Sequence, residues 1–127
     1  MFNNKTTQTD NNISTMVNLD YMDMMSDGDP DMKKVMLEML LEEIPHELQR
    51  MREVHAASDW NGLASVAHKM KSTLSFVGND TMTKANKELE SIGKSQDETG
   101  KVASLIDVLE NTSVPVLVEL NFFFEGL

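Results

Sequence analysis

This sequence of 127 residues has three histidines and no cysteine, so its strongest neutral nucleophiles are the imidazoles of His46, His55 and His68. His46 and His55 stand nine apart, and none of the three histidines has another at the three- or four-residue spacing that binds a metal from one helical face. A glycine-rich phosphate loop is also missing, so neither a bound metal nor bound ATP is expected. His68 is different because of its setting, VAHKMKSTLSFVG over residues 66 to 78, where apolar residues at helical spacing alternate with lysines and hydroxyls. Three readings are open at first: a buried, satisfied histidine, an inert surface residue, or a nucleophile held out for a partner.

A helical wheel separates the first from the others. With Leu63 at the origin, Val66, Ala67, Met70, Leu74 and Val77 fall within about 60° of it, whereas His68 falls at about 140°. The buried reading fails on that geometry. The neighbours of His68 on its own side are Ala64, Lys71, Ser72 and Ser75, with Lys69 next to it in sequence. Small side chains would leave the ring on a low platform that another protein could approach closely. Imidazole ordinarily titrates near ~6.5, so at neutral pH it offers a nitrogen lone pair to an electrophile. A phosphoryl group is the natural electrophile, because Lys71 and the nearby hydroxyls could contact its oxygens. On the residues alone, the choice between an inert surface histidine and this nucleophile stays open.

The elements that would position His68 are helical. Residues 1 to 14 are almost wholly polar and read as a flexible leader, followed by a folded domain over 15 to 127. VNLDYMDMM predicts a short first helix that ends at Ser26-Asp27-Gly28. Asp29-Pro30 is a start signal for a long helix to about Ala57, whose predicted apolar face is Val35, Met36, Met39, Leu40, Ile44, Leu48 and Met51. Pro45 should kink that helix without splitting it. Asp59-Trp60 opens the His68 helix, and Gly78 should terminate it in the left-handed conformation. Asp80 or Thr81 is expected to cap a further helix carrying Met82, Ala85, Leu89 and Ile92. A last helix takes Val102, Leu105, Ile106, Leu109, Leu117, Leu120 and Phe124 across Pro115, with the three phenylalanines at 122 to 124 closing a bundle end. No stretch alternates with period two. The fold class is therefore all-α, an up-and-down antiparallel four-helix bundle with a short extra N-terminal helix. The eleven methionines are read as adaptable core packing.

Charge narrows the partners. Eleven basic and 21 acidic residues give a net charge of −10, which repels phosphate backbones and anionic lipid, so neither nucleic acid nor a membrane is expected as partner. The excess is uneven, with five basic and twelve acidic residues up to position 60 and six and nine thereafter. With no cysteine, no signal-like segment and no long apolar run, the chain is expected in the cytoplasm. Met1 and the polar leader fit a free-standing protein, although an excised C-terminal domain of a larger kinase would look similar.

The segment His68-Lys69-Met70-Lys71-Ser72-Thr73, closing at Val77-Gly78, resembles the signature of histidine-containing phosphotransfer (HPt) domains of two-component phosphorelays. Glu42-Glu43-Ile44-Pro45 in the preceding helix and the Asp59-Trp60 break also match, and the likeness runs from about Met16 to the C-terminus. The resemblance implies that His68 is the phosphoacceptor, that Lys71 steadies the phosphoryl group, and that Gly78 ends the helix. It implies docking of receiver domains, those of response regulators and of a hybrid sensor histidine kinase, over Ala64, Lys69, Ser72 and Ser75. It further implies a monomeric carrier without its own cofactor, with Mg²⁺ on the partner receiver. The position after the lysine, often glycine in the family, is Ser72 here, still small but able to donate a hydrogen bond. Two rival expectations are a non-phosphorylated helical adaptor and a substrate domain of a chemotaxis-type histidine kinase.

Overall fold

The computed structural model describes residues 16–127, so the expected leader over residues 1 to 14 lies outside the described residues. Five α-helices follow in order: α1 Asp20–Met25, α2 Pro30–Ala56, α3 Trp60–Val77, α4 Asp80–Ser95 and α5 Val102–Glu125, with one 3₁₀ turn at Thr99–Lys101 before α5. α2 packs on α3 and α5, and α4 packs on the same two, which leaves α3 and α5 diagonal across a four-helix bundle. α1 is the short extra helix, lying against α2 and α3.

Local signals set these boundaries. Asp29 accepts from the Asp31 N–H and Asp59 from the Gly62 N–H, each satisfying an amide that the first helical turn leaves without a partner. The expected cap of α4 is corrected by one position: Asn79, rather than Asp80 or Thr81, accepts from the Met82 N–H at 2.9 Å. Its amide also donates to the Met16 carbonyl at 2.8 Å, a second bond that ties the segment before α1 to the α3–α4 turn. Asp80 stands in the first turn instead, where a carboxylate favours the positive end of the helix dipole. Gly78 ends α3 at φ 68°, as predicted, and its N–H closes onto the Leu74 carbonyl. A Cβ at this position would also run into the Asn18 backbone, so glycine is required there twice over.

The core is one cluster drawn from all four long helices and α1. On α3, Leu63, Val66, Ala67, Met70, Leu74 and Val77 are all buried, the arc that the wheel gave. Each large side chain among them contributes about 1.5–3 kcal/mol on burial, enough that the opposite face of α3 needs no part in folding. On α2 the predicted face needs correction. Val35 and Met39 are exposed, and the buried seam is Leu37, Leu40, Ile44, Glu47, Leu48, Met51 and Val54. Val35 lies nine residues before Ile44, which at about 100° per residue places it on the opposite side of the helix. The methionines divide likewise: Met22, Met51, Met70 and Met82 are core, but Met24, Met25, Met32 and Met39 stand on the surface of α1 and α2. At the C-terminal end Phe123 and Phe124 pack on the core while Phe122 stays out.

Glu47 is an anomaly in this core. Only 2% exposed, it accepts a long 3.4 Å bond from the Thr73 hydroxyl, and its second oxygen has no partner. Burial pushes its carboxyl above the ordinary 4.5, against smaller opposing effects of Thr73, Lys69 and His46. A raised folded-state pKa means that the native carboxyl keeps a proton which the unfolded one releases, so stability falls as pH rises above about 4.5 and through the folded value. Glu47→Leu is expected to raise stability at neutral pH by about 1 kcal/mol, or roughly 4 °C in Tm, and to flatten that pH slope. Thermal melts of both proteins between about pH 4.5 and 8 check this. An equal or lower Tm for the variant at pH 7 would count against the burial penalty.

Candidate functional site

His68 lies on the side of α3 away from the buried seam, with its side chain 65% exposed. The ring nevertheless has a fixed partner. Its Nδ1 stands 2.9 Å from Oε2 of Glu90, a residue of α4 that is itself only 7% exposed. α4 reaches this close to α3 because of three residues on one of its faces, Asn86, Glu90 and Gly93. The Asn86 amide donates to the Ala67 carbonyl at 2.9 Å inside the interface. At Gly93 an added Cβ would come within 2.7 Å of the Ala64 nitrogen and 2.9 Å of the Trp60 oxygen, so only a glycine permits the two backbones to approach this far. Glu90 sits between these two contacts and is carried up to the imidazole.

The carboxylate of Glu90 gathers three cationic or donor groups. Besides His68, the Lys94 ammonium lies 3.1 Å from Oε2 and the Lys71 ammonium 3.8 Å from Oε1. The hydrogen bond with His68 and then that with Lys94 hold the Glu90 carboxyl below the usual carboxylate range, with Lys71 adding to them and desolvation opposing. An ionised carboxylate can only accept, so in a neutral ring the proton must sit on Nδ1 and the lone pair on Nε2. Such a ring is prepared to attack through Nε2, and the positive charge that then develops is balanced at Nδ1 by Glu90. Lys71 and Lys94 are 63% and 66% exposed and lie on the same carboxylate, within reach of an anion that arrives at the ring.

The other residues singled out in the sequence are spread around this centre. Lys69 points to the α2 side, with its ammonium 3.9 Å from Glu43. Ser72 and Ser75 are exposed, and the Ser75 hydroxyl donates to the Ser72 carbonyl at 2.6 Å. Ala64 is half-buried against Gly93, so its small size serves the α3–α4 contact more than an open platform. His46 lies with Glu47, Arg50, Ser65 and Lys69 in a cleft of about 220 Å³ between α2 and α3. His55 stacks near Trp60, the ring centroids 6.3 Å apart. Reading α3 alone missed Glu90, Asn86, Lys87 and Lys94. A signal was present: Asn86, Glu90 and Gly93 sit on the shoulder of the Met82-Ala85-Leu89-Ile92 stripe, and Glu90 and Lys94 form an i,i+4 pair.

No helix among the described residues is long and apolar enough to cross a membrane. A search of curated proteins returned no match. Among solved structures, the chain is similar to the crystal structure of histidine-containing phosphotransfer protein B from Pseudomonas aeruginosa, with 18% sequence identity and a TM-score of 0.80. The match covers 90% of this chain and 98% of that one, and includes the short N-terminal helix in a shared helical-bundle fold. A family profile described as the Hpt domain matches residues 35–114, a span that holds the His68 segment together with Glu90 and Lys94. By that match the chain belongs to the Hpt domain family, phosphotransfer carriers rather than classical enzymes, which act with receiver domains in two-component phosphorelays.

Proposed function

We propose that His68 is the phosphoacceptor of this domain, taking a phosphoryl group from a receiver's phospho-aspartate and passing it to the aspartate of a second receiver. The observation that carries this reading is the 2.9 Å contact between His68 Nδ1 and the ionised Glu90, which leaves Nε2 with the lone pair on an exposed ring. In the forward step Nε2 bonds to phosphorus, the bond from phosphorus to the aspartyl oxygen breaks, and that oxygen leaves with the electron pair as carboxylate. Nδ1 keeps its proton and the ring becomes cationic, held by Glu90. Lys71, assisted by Lys94, pairs with the phosphoryl oxygens. The chain supplies position and charge, the larger part of what phosphoryl transfer needs from a protein. The Mg²⁺ and acidic cluster belong to the receiver. The reading places the protein in the cytoplasm as a monomer, between a receiver of a hybrid sensor histidine kinase and one of a response regulator.

The receiver is proposed to dock across the outer face of α3, over Lys69, Ser72 and Ser75 beside His68 and, at its α4 edge, the half-buried Ala64. Phe76, eight residues after His68 and so about 12 Å along the helix, packs against the exposed Tyr21 of α1 with ring centroids 5.1 Å apart. The exposed Met32 and Met39, with the half-buried Met36 between them, continue this apolar ground along the stripe of α2 that ends at Glu43, the partner of Lys69. Adaptable methionines on an exposed face suit a surface that must fit more than one receiver.

Incubation with a phosphorylated receiver, followed by mass spectrometry, should locate one acid-labile phosphate on His68. Replacing Glu90 grades the assigned mechanism. Glu90→Gln keeps an acceptor for Nδ1–H without the charge, and Glu90→Leu removes both, so transfer rates should fall in the order wild type, Gln, Leu. With a charge-assisted bond worth about 1.5–3 kcal/mol, the Leu variant should transfer at least about tenfold more slowly. Equal rates for all three proteins would remove Glu90 from the mechanism.

A further inference from the structure

On the α4 side of His68 the surface has a different character from the apolar ground toward α1 and the first turns of α2. Lys71, Leu74, Ser75, Thr83, Asn86, Lys87, Glu90 and Lys94 line an open cleft of about 460 Å³ between α3 and α4. Three lysines face one glutamate there, in a chain whose net charge is −10. The carboxylate of Glu90 engages Lys71 and Lys94, but Lys87 is exposed and forms no ion pair with any described residue. Lys87 and Lys94 are seven residues apart on one face of α4, about 10 Å along the axis, so they bracket the level of His68. Lys84, three residues before Lys87, is exposed but does not line the cleft.

Resting on the reading that receivers dock at His68, we propose that Lys87 and this cleft select receivers by charge. The partner presents an acidic side chain beside its phospho-aspartate on the edge that lies over α4, and an apolar surface on the edge that lies over α1 and α2. The cationic cleft lies on the α4 side of His68, and the apolar ground of Tyr21, Phe76, Met32 and Met39 lies further along α3 toward α1 and the first turns of α2, so a receiver docked the other way round would place a carboxylate over methionines and an apolar edge over lysines. Both mismatches disfavour it, and the docking orientation is fixed as well as the partner. Lys87 acts on the partner and not on the phosphoryl group, so it should affect encounter more than the transfer step.

Charge reversal separates these roles. Lys87→Glu is expected to lower the second-order rate constant for phosphoryl uptake from the cognate receiver about tenfold at low salt, with the loss disappearing near 1 M salt. The first-order rate at saturating receiver and the lifetime of phosphohistidine should match wild type. Lys84→Glu makes the same change in net charge on the same helix and should leave uptake unchanged. An unaltered rate constant for Lys87→Glu, a loss that persists in high salt, or an equal loss for Lys84→Glu would each overturn the inference while labelling of wild-type His68 still stands. Failure of every phosphorylated receiver to label the wild type would instead overturn the relay reading, and this inference with it.

Discussion

His68→Gln is expected to abolish acid-labile phosphorylation by a phosphorylated receiver, leaving no phosphate on the chain after incubation and mass spectrometry. The change removes the nucleophile with little disturbance of its surroundings. Glutamine is close in size and its amide can donate to Glu90 Oε2, which takes the Nδ1 hydrogen bond in the native protein. The ring is largely exposed and contributes nothing to the buried seam of α3, so stability should stay within about 0.5 kcal/mol of wild type. His46 and His55 should not compensate. Among the described residues His68 alone of the three has a carboxylate on a ring nitrogen; His46 lines the α2–α3 cleft and His55 lies beside Trp60. A His46→Gln, His55→Gln double variant is expected to label fully. Full labelling of His68→Gln would remove the central assignment.

The contrast between α3 and α4 explains what could be read in advance. Along α3 a wheel of one helix places the core face and, by subtraction, the exposed side on which His68 stands. That step depends only on the helical period. The same reasoning failed at Val35 and Met39 of α2 because apolar character is not the same as burial: on a long helix several apolar stripes compete, and tertiary contacts choose among them. The exposure of Val35 and Met39 is set by where α1, α3 and α5 pack on α2, which the pattern of α2 alone does not carry. Glu90 was harder still. Its importance lies in a distance of 2.9 Å to a residue 22 positions earlier, and that distance is set by how closely two backbones approach. A periodic pattern locates a side chain on its own helix but says nothing of the gap to the next. Ala64 illustrates the same limit: its small size read as a platform for a partner, and in the fold it makes room for Gly93.

That gap makes Gly93 a position where a single methyl group should damage the fold and the site together. Within a helix, glycine to alanine ordinarily stabilises by about 1 kcal/mol, because alanine loses less backbone entropy on folding. At Gly93 the new Cβ would meet backbone atoms, 2.7 Å from the Ala64 nitrogen and 2.9 Å from the Trp60 oxygen, and these cannot rotate away as a side-chain tip would. The helices must separate, and overpacking of this kind costs about 1–3 kcal/mol or more. The steric cost outweighs the propensity gain, so Gly93→Ala is expected to lose about 2 kcal/mol net and roughly 8 °C in Tm. A second consequence follows at the site. Glu90 lies one turn from Gly93 on the same face, so a widened interface lengthens its bond to His68. The ring is then released to exchange its proton between nitrogens, and the lone pair on Nε2 is no longer guaranteed. Nitrogen NMR of the imidazole should report loss of the protected Nδ1–H signal in any Gly93→Ala protein that remains folded, together with slower phosphoryl uptake. Gly100→Ala is the control, since a Cβ there meets nothing within 4 Å, and its Tm should stay near that of wild type. A Gly93→Ala protein that melts at or above the wild-type temperature and keeps the Nδ1–H signal would mean that the two helices have slack to give, and that the contact between His68 and Glu90 is held by Asn86 and the lysines instead.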